Sequence, residues 1–175
     1  QNYQLSFSGG TDKLRYVLSG NYFNQEGIVI TSNFKRYTAR LNLDAKISER
    51  LKVGTNFTVT RSYNNSVNEV GPTGIVGLTV RASPASPVYD ATGNYQLLNV
   101  GAGSGFNSIA NPVAVARTTT NLLISDRVLG NIFGDISIAK GLSARISVGA
   151  DIFNTRRNIF YTPQTLIANT LNGYG

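Results

Sequence analysis

Apolar residues fall on every second position in four long stretches of the chain. From Tyr37 one series reads Tyr37, Ala39, Leu41, Leu43, Ala45, Ile47, and the series between reads Arg36, Thr38, Arg40, Asn42, Asp44, Lys46. After a turn at Ser48-Glu49-Arg50, Leu51, Val53, Thr55, Phe57 and Val59 alternate with Lys52, Gly54, Asn56, Thr58 and Thr60. Further on, Val128, Gly130, Ile132, Gly134, Ile136 and Ile138 alternate with Arg127, Leu129, Asn131, Phe133, Asp135 and Ser137. A tight turn at Ala139-Lys140-Gly141 leads to Leu142, Ala144, Ile146, Val148, Ala150 and Ile152, set against Ser143, Arg145, Ser147, Gly149, Asp151 and Phe153. Period two places successive side chains on opposite faces of a strand, so each stretch predicts a β-strand with one apolar and one polar face.

A weaker pair opens the chain, with Tyr3, Leu5 and Phe7, a turn near Gly10-Thr11-Asp12-Lys13, then Tyr16, Leu18, Gly20 and Tyr22. The pattern therefore predicts an all-β protein of about six long antiparallel strands in three hairpins. The turns within hairpins are short. The connections between them are long, from Asn24 to Asn33 and from about Asn64 to Ser125. Transmembrane β-barrels show this asymmetry, with short periplasmic turns and long extracellular loops.

The longer connection carries its own local signals. Gly71-Pro72 predicts the start of a short helix through Arg81, with proline at its first position. Ser83-Pro84-Ala85-Ser86-Pro87 must be extended. Val88 to Tyr95 reads as a small hairpin turning at Thr92-Gly93. Gly101 to Gly105 reads as a flexible loop, and Asn111-Pro112 as the cap of a second short helix.

Alternation alone leaves two architectures open: a membrane barrel, or a soluble secreted β-sandwich serving as a carbohydrate-binding or adhesion module. The alternating runs last about 11 residues, the length of a tilted membrane strand. Within them the apolar face carries no charge in the four clearest strands, as hydrocarbon requires. Aromatic residues gather near strand ends, at Tyr22, Phe34, Tyr37, Tyr63, Phe160 and Tyr161, as in an interfacial girdle. These features favour the barrel. The mean hydropathy of −0.08 fits it too, because alternating strands average to neutral.

Composition narrows the chemistry. The 175 residues contain no Cys, His, Trp or Met. That removes disulfides, the commonest zinc ligands, and Ser-His-Asp or Cys-His nucleophiles, so neither an enzyme nor a metal or cofactor site is expected. A chain starting at Gln1 without any Met is expected to be a segment of a longer protein. The net charge of +7 comes from 16 Lys and Arg spread along the chain, the pattern of a solvated face rather than a nucleic-acid site. Of these, Lys35, Arg36, Arg61, Arg127, Arg156 and Arg157 gather at the long-connection ends of the strands. Those facing outward would meet lipopolysaccharide phosphates.

Other candidate sites reduce to structure. Gly101-Ala102-Gly103-Ser104-Gly105 lacks the Lys and the strand–turn–helix context of a phosphate loop. Asp44, Asp135 and Asp151 lie on the polar face beside Arg40, Arg127 and Arg145, which predicts ion pairs rather than acid–base catalysis. Tyr89, Asp90, Asn94 and Tyr95 combine aromatic faces with amide and carboxylate groups, and are the candidates for contact with a sugar-like cargo or a covering protein.

The stretch Gly20-Asn21-Tyr22-Phe23-Asn24-Gln25-Glu26-Gly27-Ile28-Val29, with Phe34-Lys35-Arg36-Tyr37 and Leu41-Asn42-Leu43-Asp44, closely resembles the SusC/RagA family of TonB-linked outer-membrane transporters. Tyr3 to Gly10 and Leu51 to Asn56 are similar to the flanking strands of that family. Pro87-Val88-Tyr89-Asp90, Gly93-Asn94-Tyr95 and Asn111-Pro112 resemble its extracellular loop. The resemblance implies a barrel of roughly 22 strands around a plug, in the outer membrane among lipid and lipopolysaccharide. It also implies energy from the TonB system, a SusD-like lipoprotein lid, and oligosaccharide or peptide cargo. The plug, the TonB-contacting segment and most strands lie outside these residues.

Overall fold

A computed structural model describes residues 1–67, 74–96 and 109–162. The elements run β1 (Asn2–Gly10), β2 (Leu14–Glu26), β3 (Asn33–Lys46), β4 (Leu51–Asn65), α1 (Ile75–Arg81), α2 (Pro112–Thr118), β5 (Thr119–Ala139) and β6 (Leu142–Tyr161). All six strands join one antiparallel sheet in sequence order, the up-and-down meander that the three hairpins predict. No second sheet faces it among the described residues, so the sandwich has no counterpart here. None of the described helices is long and apolar enough to cross a membrane.

The short turns are closed by their own polar residues. Thr11 Oγ1 accepts from the backbone N–H groups of Lys13 and Leu14 at 3.3 and 3.2 Å. Ser48 Oγ accepts from Leu51 N at 3.1 Å, and Gly141 takes a left-handed φ of 82° that a side chain would oppose. At the same turn as Ser48, Lys46 donates to both carboxylate oxygens of Glu49 at 2.9 Å.

The chain divides into two compact units. One, residues 1–25, 34–63 and 124–156, holds most of the sheet; the other, residues 26–33, 64–123 and 157–175, holds the long connections and the strand ends that enter them.

In the sheet unit the two faces segregate as alternation predicts. On the polar face Arg145 forms a two-pronged pair with Asp135 at 2.5 and 2.7 Å. Arg127 does the same with Asp151 at 2.9 and 2.6 Å, and Asn56 meets Asn131 at 3.1 Å. The apolar face is bare, with Ile132 62%, Ile146 72% and Val148 72% exposed. A folded soluble domain does not leave such a surface uncovered.

Glycine and aromatic residues interlock across strands. A Cβ on Gly54 would collide with the Phe133 ring and with Asp44, a Cβ on Gly130 with Phe57, and one on Gly9 with Tyr16. Each ring thus lies over a neighbouring strand's bare backbone, filling the gap that a missing side chain leaves.

The buried core belongs to the connection unit. Val67, Ile75 and Ala116 form one cluster with Val29 and Val115 against it; Leu78 and Ile109 form a second with Ala82 and Ala110. Helices α1 and α2 pack together there.

Two elements differ in extent from the sequence reading. Strand β5 begins at Thr119 rather than near Ser125, because the apolar run Leu122-Leu123-Ile124 hides the alternation. Helix α1 ends at Arg81 as predicted, but its proposed start at Gly71-Pro72 lies outside the described residues, as does the loop Gly101 to Gly105.

Candidate functional site

Three surfaces carry the polar and aromatic chemistry: the small hairpin, the aromatic row on the apolar face, and the groove on the polar face.

The small hairpin forms where predicted. Tyr89 and Tyr95 pair as an antiparallel bridge with ring centroids 5.2 Å apart. Asp90 Oδ1 accepts from Thr92 N at 2.8 Å, Thr92 Oγ1 at 2.7 Å and Asn94 N at 2.9 Å. These donors favour the charged carboxylate, and hold the Asp90 carboxyl below its ordinary range, the Thr92 side chain contributing most. Gly93 sits at φ 86°, completing the turn. Asn94 Nδ2 donates to Thr92 Oγ1 at 2.9 Å. The structure therefore brings all four candidates together, but commits Asp90 Oδ1 and the Asn94 amide nitrogen to the turn itself. The Tyr89 ring is left exposed.

Asn111 locks this hairpin in place. Its Oδ1 caps α2 by accepting from Val113 N at 3.0 Å and Ala114 N at 3.4 Å, with Pro112 at the first helical position. Its Nδ2 donates to Val88 O at 2.8 Å and Gln96 O at 3.2 Å, at the two ends of the hairpin. Asn111 is almost fully buried. The helix cap was readable from Asn-Pro, whereas the tie to the hairpin had no sequence signal.

Thr31 is a second residue that sequence reasoning missed. It takes a left-handed φ of 69°, unfavourable for a β-branched residue. Its Oγ1 donates to Ala116 O at 2.8 Å and its carbonyl accepts from Asn65 Nδ2 at 2.9 Å, which hold it there. The connection 26–33 is thereby fastened to α2 and to the end of β4.

On the apolar face, tyrosines line up across four strands. Tyr3 and Tyr22 are register partners with centroids 6.3 Å apart; Tyr22 and Tyr37 are 5.0 Å apart, and Tyr37 and Tyr63 are 6.2 Å apart at 90°. Tyr3 joins Tyr22, Tyr37 and Tyr63 of the predicted girdle, while Phe34 turns to the other face against Phe23 at 6.1 Å. A shallow depression on this face is lined by Tyr3, Leu5, Tyr22, Tyr37, Val59 and Arg61. Arg61 pairs with Asp126 at 2.5 and 2.8 Å. The apolar side thus carries one ion pair beside the tyrosine row, where a membrane boundary would reduce the cost of charge to roughly 0–1 kcal/mol, and is free of charge from Leu51 to Val59. The strand from Leu51 to Val59 rises eight residue steps, which at about 3.3 Å each and a tilt of about 40° gives an apolar band roughly 20 Å tall, close to the height of a barrel's lipid-facing band.

On the polar face, two of the three predicted ion pairs form, Arg127–Asp151 and Arg145–Asp135. The third does not: Asp44 lies by Gly54 and Phe133, and Arg40 has no carboxylate partner among the described residues. The six basic residues at the long-connection ends separate by strand parity. Lys35, Arg61 and Arg156 share the apolar side, and Arg36, Arg127 and Arg157 the polar side.

No group of metal-ligating residues occurs among the described residues. No family model matches the chain. It is similar to TonB-dependent receptor P3 of Formosa agariphila, 34% identical over 173 residues, covering 95% of this chain and 17% of that protein. It is also similar to TonB-dependent receptor SusC of Bacteroides thetaiotaomicron, 30% identical over 149 residues, covering 75% of this chain and 14% of that protein. Among solved structures, the RagAB peptide importer in its closed-closed state superimposes with a TM-score of 0.72 at 29% identity, over 93% of this chain and 18% of that one. The chain spans about a sixth of the length of the relatives it matches.

Proposed function

We infer that this chain, a SusC/RagA-like segment of a TonB-dependent transporter, forms part of the wall and outer rim of an outer-membrane importer of large nutrients, oligosaccharides or peptides. The observation that carries this reading is the continuous six-stranded meander with one bare apolar face, 93% of this chain matching 18% of the chain in the RagAB peptide importer. The apolar face meets lipid, with the tyrosine row at the outer boundary and Lys35, Arg61 and Arg156 beside lipopolysaccharide phosphates. The polar face lines the lumen. The long connections lie outside the cell, where the hairpin of Tyr89, Asp90, Asn94 and Tyr95 contacts cargo or a SusD-like lipoprotein. Energy comes from the TonB system through parts of the protein beyond this chain, and no enzymatic step is involved.

The test uses the full-length transporter expressed with its lipoprotein in the native outer membrane. Deleting Val88 to Tyr95 is expected to leave the barrel assembled, as read by heat-modifiable gel mobility, and to weaken TonB-dependent uptake. Normal uptake by the deletion protein would reject the role of the hairpin. Recovery of the full-length protein, monomeric and folded, in plain buffer would reject the membrane reading.

A further inference from the structure

We propose that the polar face of the sheet holds a groove for anionic oligosaccharide, meaning chains that bear carboxylate or sulfate groups, centred on Arg36, Arg40 and Arg127. The proposal rests on the import reading above and names the class of cargo. The groove has a volume of about 460 Å³ and lies within the sheet unit. Besides the three arginines its lining is side-chain amides and hydroxyls, among them Gln4, Asn21 and Thr38.

The charge on these arginines is only partly answered. Asp151 holds Arg127 in a two-pronged pair. The Arg36 guanidinium carbon stands 5.6 Å from the Phe23 ring centroid, a cation–π contact that leaves its positive charge without a carboxylate partner among the described residues. Arg40 has no carboxylate partner among the described residues, and Asp44, four residues along the same strand, lies beside Gly54 and Phe133 and forms no ion pair with it. Among the described residues three guanidinium groups therefore meet one paired carboxylate, a surplus of two positive charges in one groove. Planar N–H forks match carboxylate and sulfate oxygens two at a time, which an ammonium cannot do. The amides and hydroxyls suit the hydroxyls of a sugar ring. The groove offers no apolar side chain to seat the hydrophobic residues of a mixed peptide.

The experiment uses purified full-length transporter in detergent and titration calorimetry with three probes of equal length: hexagalacturonate, maltohexaose and hexaglutamate. Hexagalacturonate is expected to bind at least about tenfold more tightly than maltohexaose, with affinity falling as salt rises. The double variant R36Q/R40Q should lose that preference while keeping its heat-modifiable mobility, and K52Q, outside the groove, should keep the preference. Equal affinity for the acidic and neutral glycans, or an unaltered preference in R36Q/R40Q, would overturn the proposal. Hexaglutamate binding as tightly as hexagalacturonate would overturn the choice of glycan in favour of acidic peptide. Transport itself is read separately, by outer-membrane fractionation and TonB-dependent uptake, so a failure there would leave the binding result standing.

Discussion

The Asn111 side chain works from both ends of its amide, the oxygen capping α2 and the nitrogen bridging Val88 and Gln96. Replacing it with Ala removes a cap worth about 1 kcal/mol and takes a donor from the part-buried carbonyls of Val88 and Gln96, the first of which still accepts from Gln96 N at 3.1 Å, so the connection unit should lose roughly 1–3 kcal/mol. Hydrogen exchange on the full-length protein would report this as faster exchange in residues 88–96 and 112–118, with strand amides unchanged. Unchanged exchange in the hairpin would show that Asn111 does not hold it. Asp90 gives a pH dependence of definite sign. Its folded carboxyl titrates below the ordinary value, so its contribution is present at neutral pH and is lost as pH falls below about 4. Hairpin protection should therefore be flat from neutral pH down to mild acid and then decline, and Asp90→Asn, which cannot titrate, should abolish the decline. The Asn-Pro cap and the Thr-Gly turn were legible in the sequence because their chemistry is local. The Asn111 tie and the strained Thr31 were not, because both depend on residues brought together from far along the chain.

At the scale of the element, face assignment was legible because period two leaves each residue only one of two sides. Leu43 and Asn42 test it most sharply. Leu43→Arg places a charge in the predicted lipid face and should cost roughly 2–4 kcal/mol of folding into lipid vesicles, whereas Asn42→Arg, on the predicted lumen face, should be much milder. Equal damage from both would mean that both faces are buried in protein. The fit of aromatic rings over glycines was not legible, since alternation does not say which residues of two strands stand opposite. Gly54 depends on that register: a branched side chain there would meet the Phe133 ring and Asp44. Gly54→Val should destabilise the β4–β5 pairing by about 1–3 kcal/mol of overpacking despite valine's preference for strands, and Phe133→Ala in the same protein should recover part of the loss. An additive double variant would show that the two do not touch. The early start of β5 escaped notice for a different reason, since a run of three apolar residues reads equally as strand or loop core.

For the whole molecule, the decisive quantity is the pairing of backbone groups. The order β1 to β6 leaves two outer edges without a partner strand among the described residues, and β6 alone is 20 residues long. In water such edges template aggregation, and in hydrocarbon each unpaired N–H or C=O costs several kcal/mol. Packing within the sheet cannot offset this, since its apolar face is bare and the buried clusters belong to the connection unit. On the proposed reading the edges are paired by further strands of a transporter, and the chain spans about a sixth of the length of the relatives it matches. These 175 residues expressed alone and refolded into lipid vesicles should give no heat-modifiable band and should precipitate from detergent-free buffer, while the full-length protein gives a discrete folded band. The charge on the polar face does not rescue the segment, because repulsion between scattered arginines slows association without pairing a single edge group. A monodisperse, heat-modifiable species from the segment alone would show that its edges close on each other or on a second copy, and that the wall of the transporter is built from units able to fold independently.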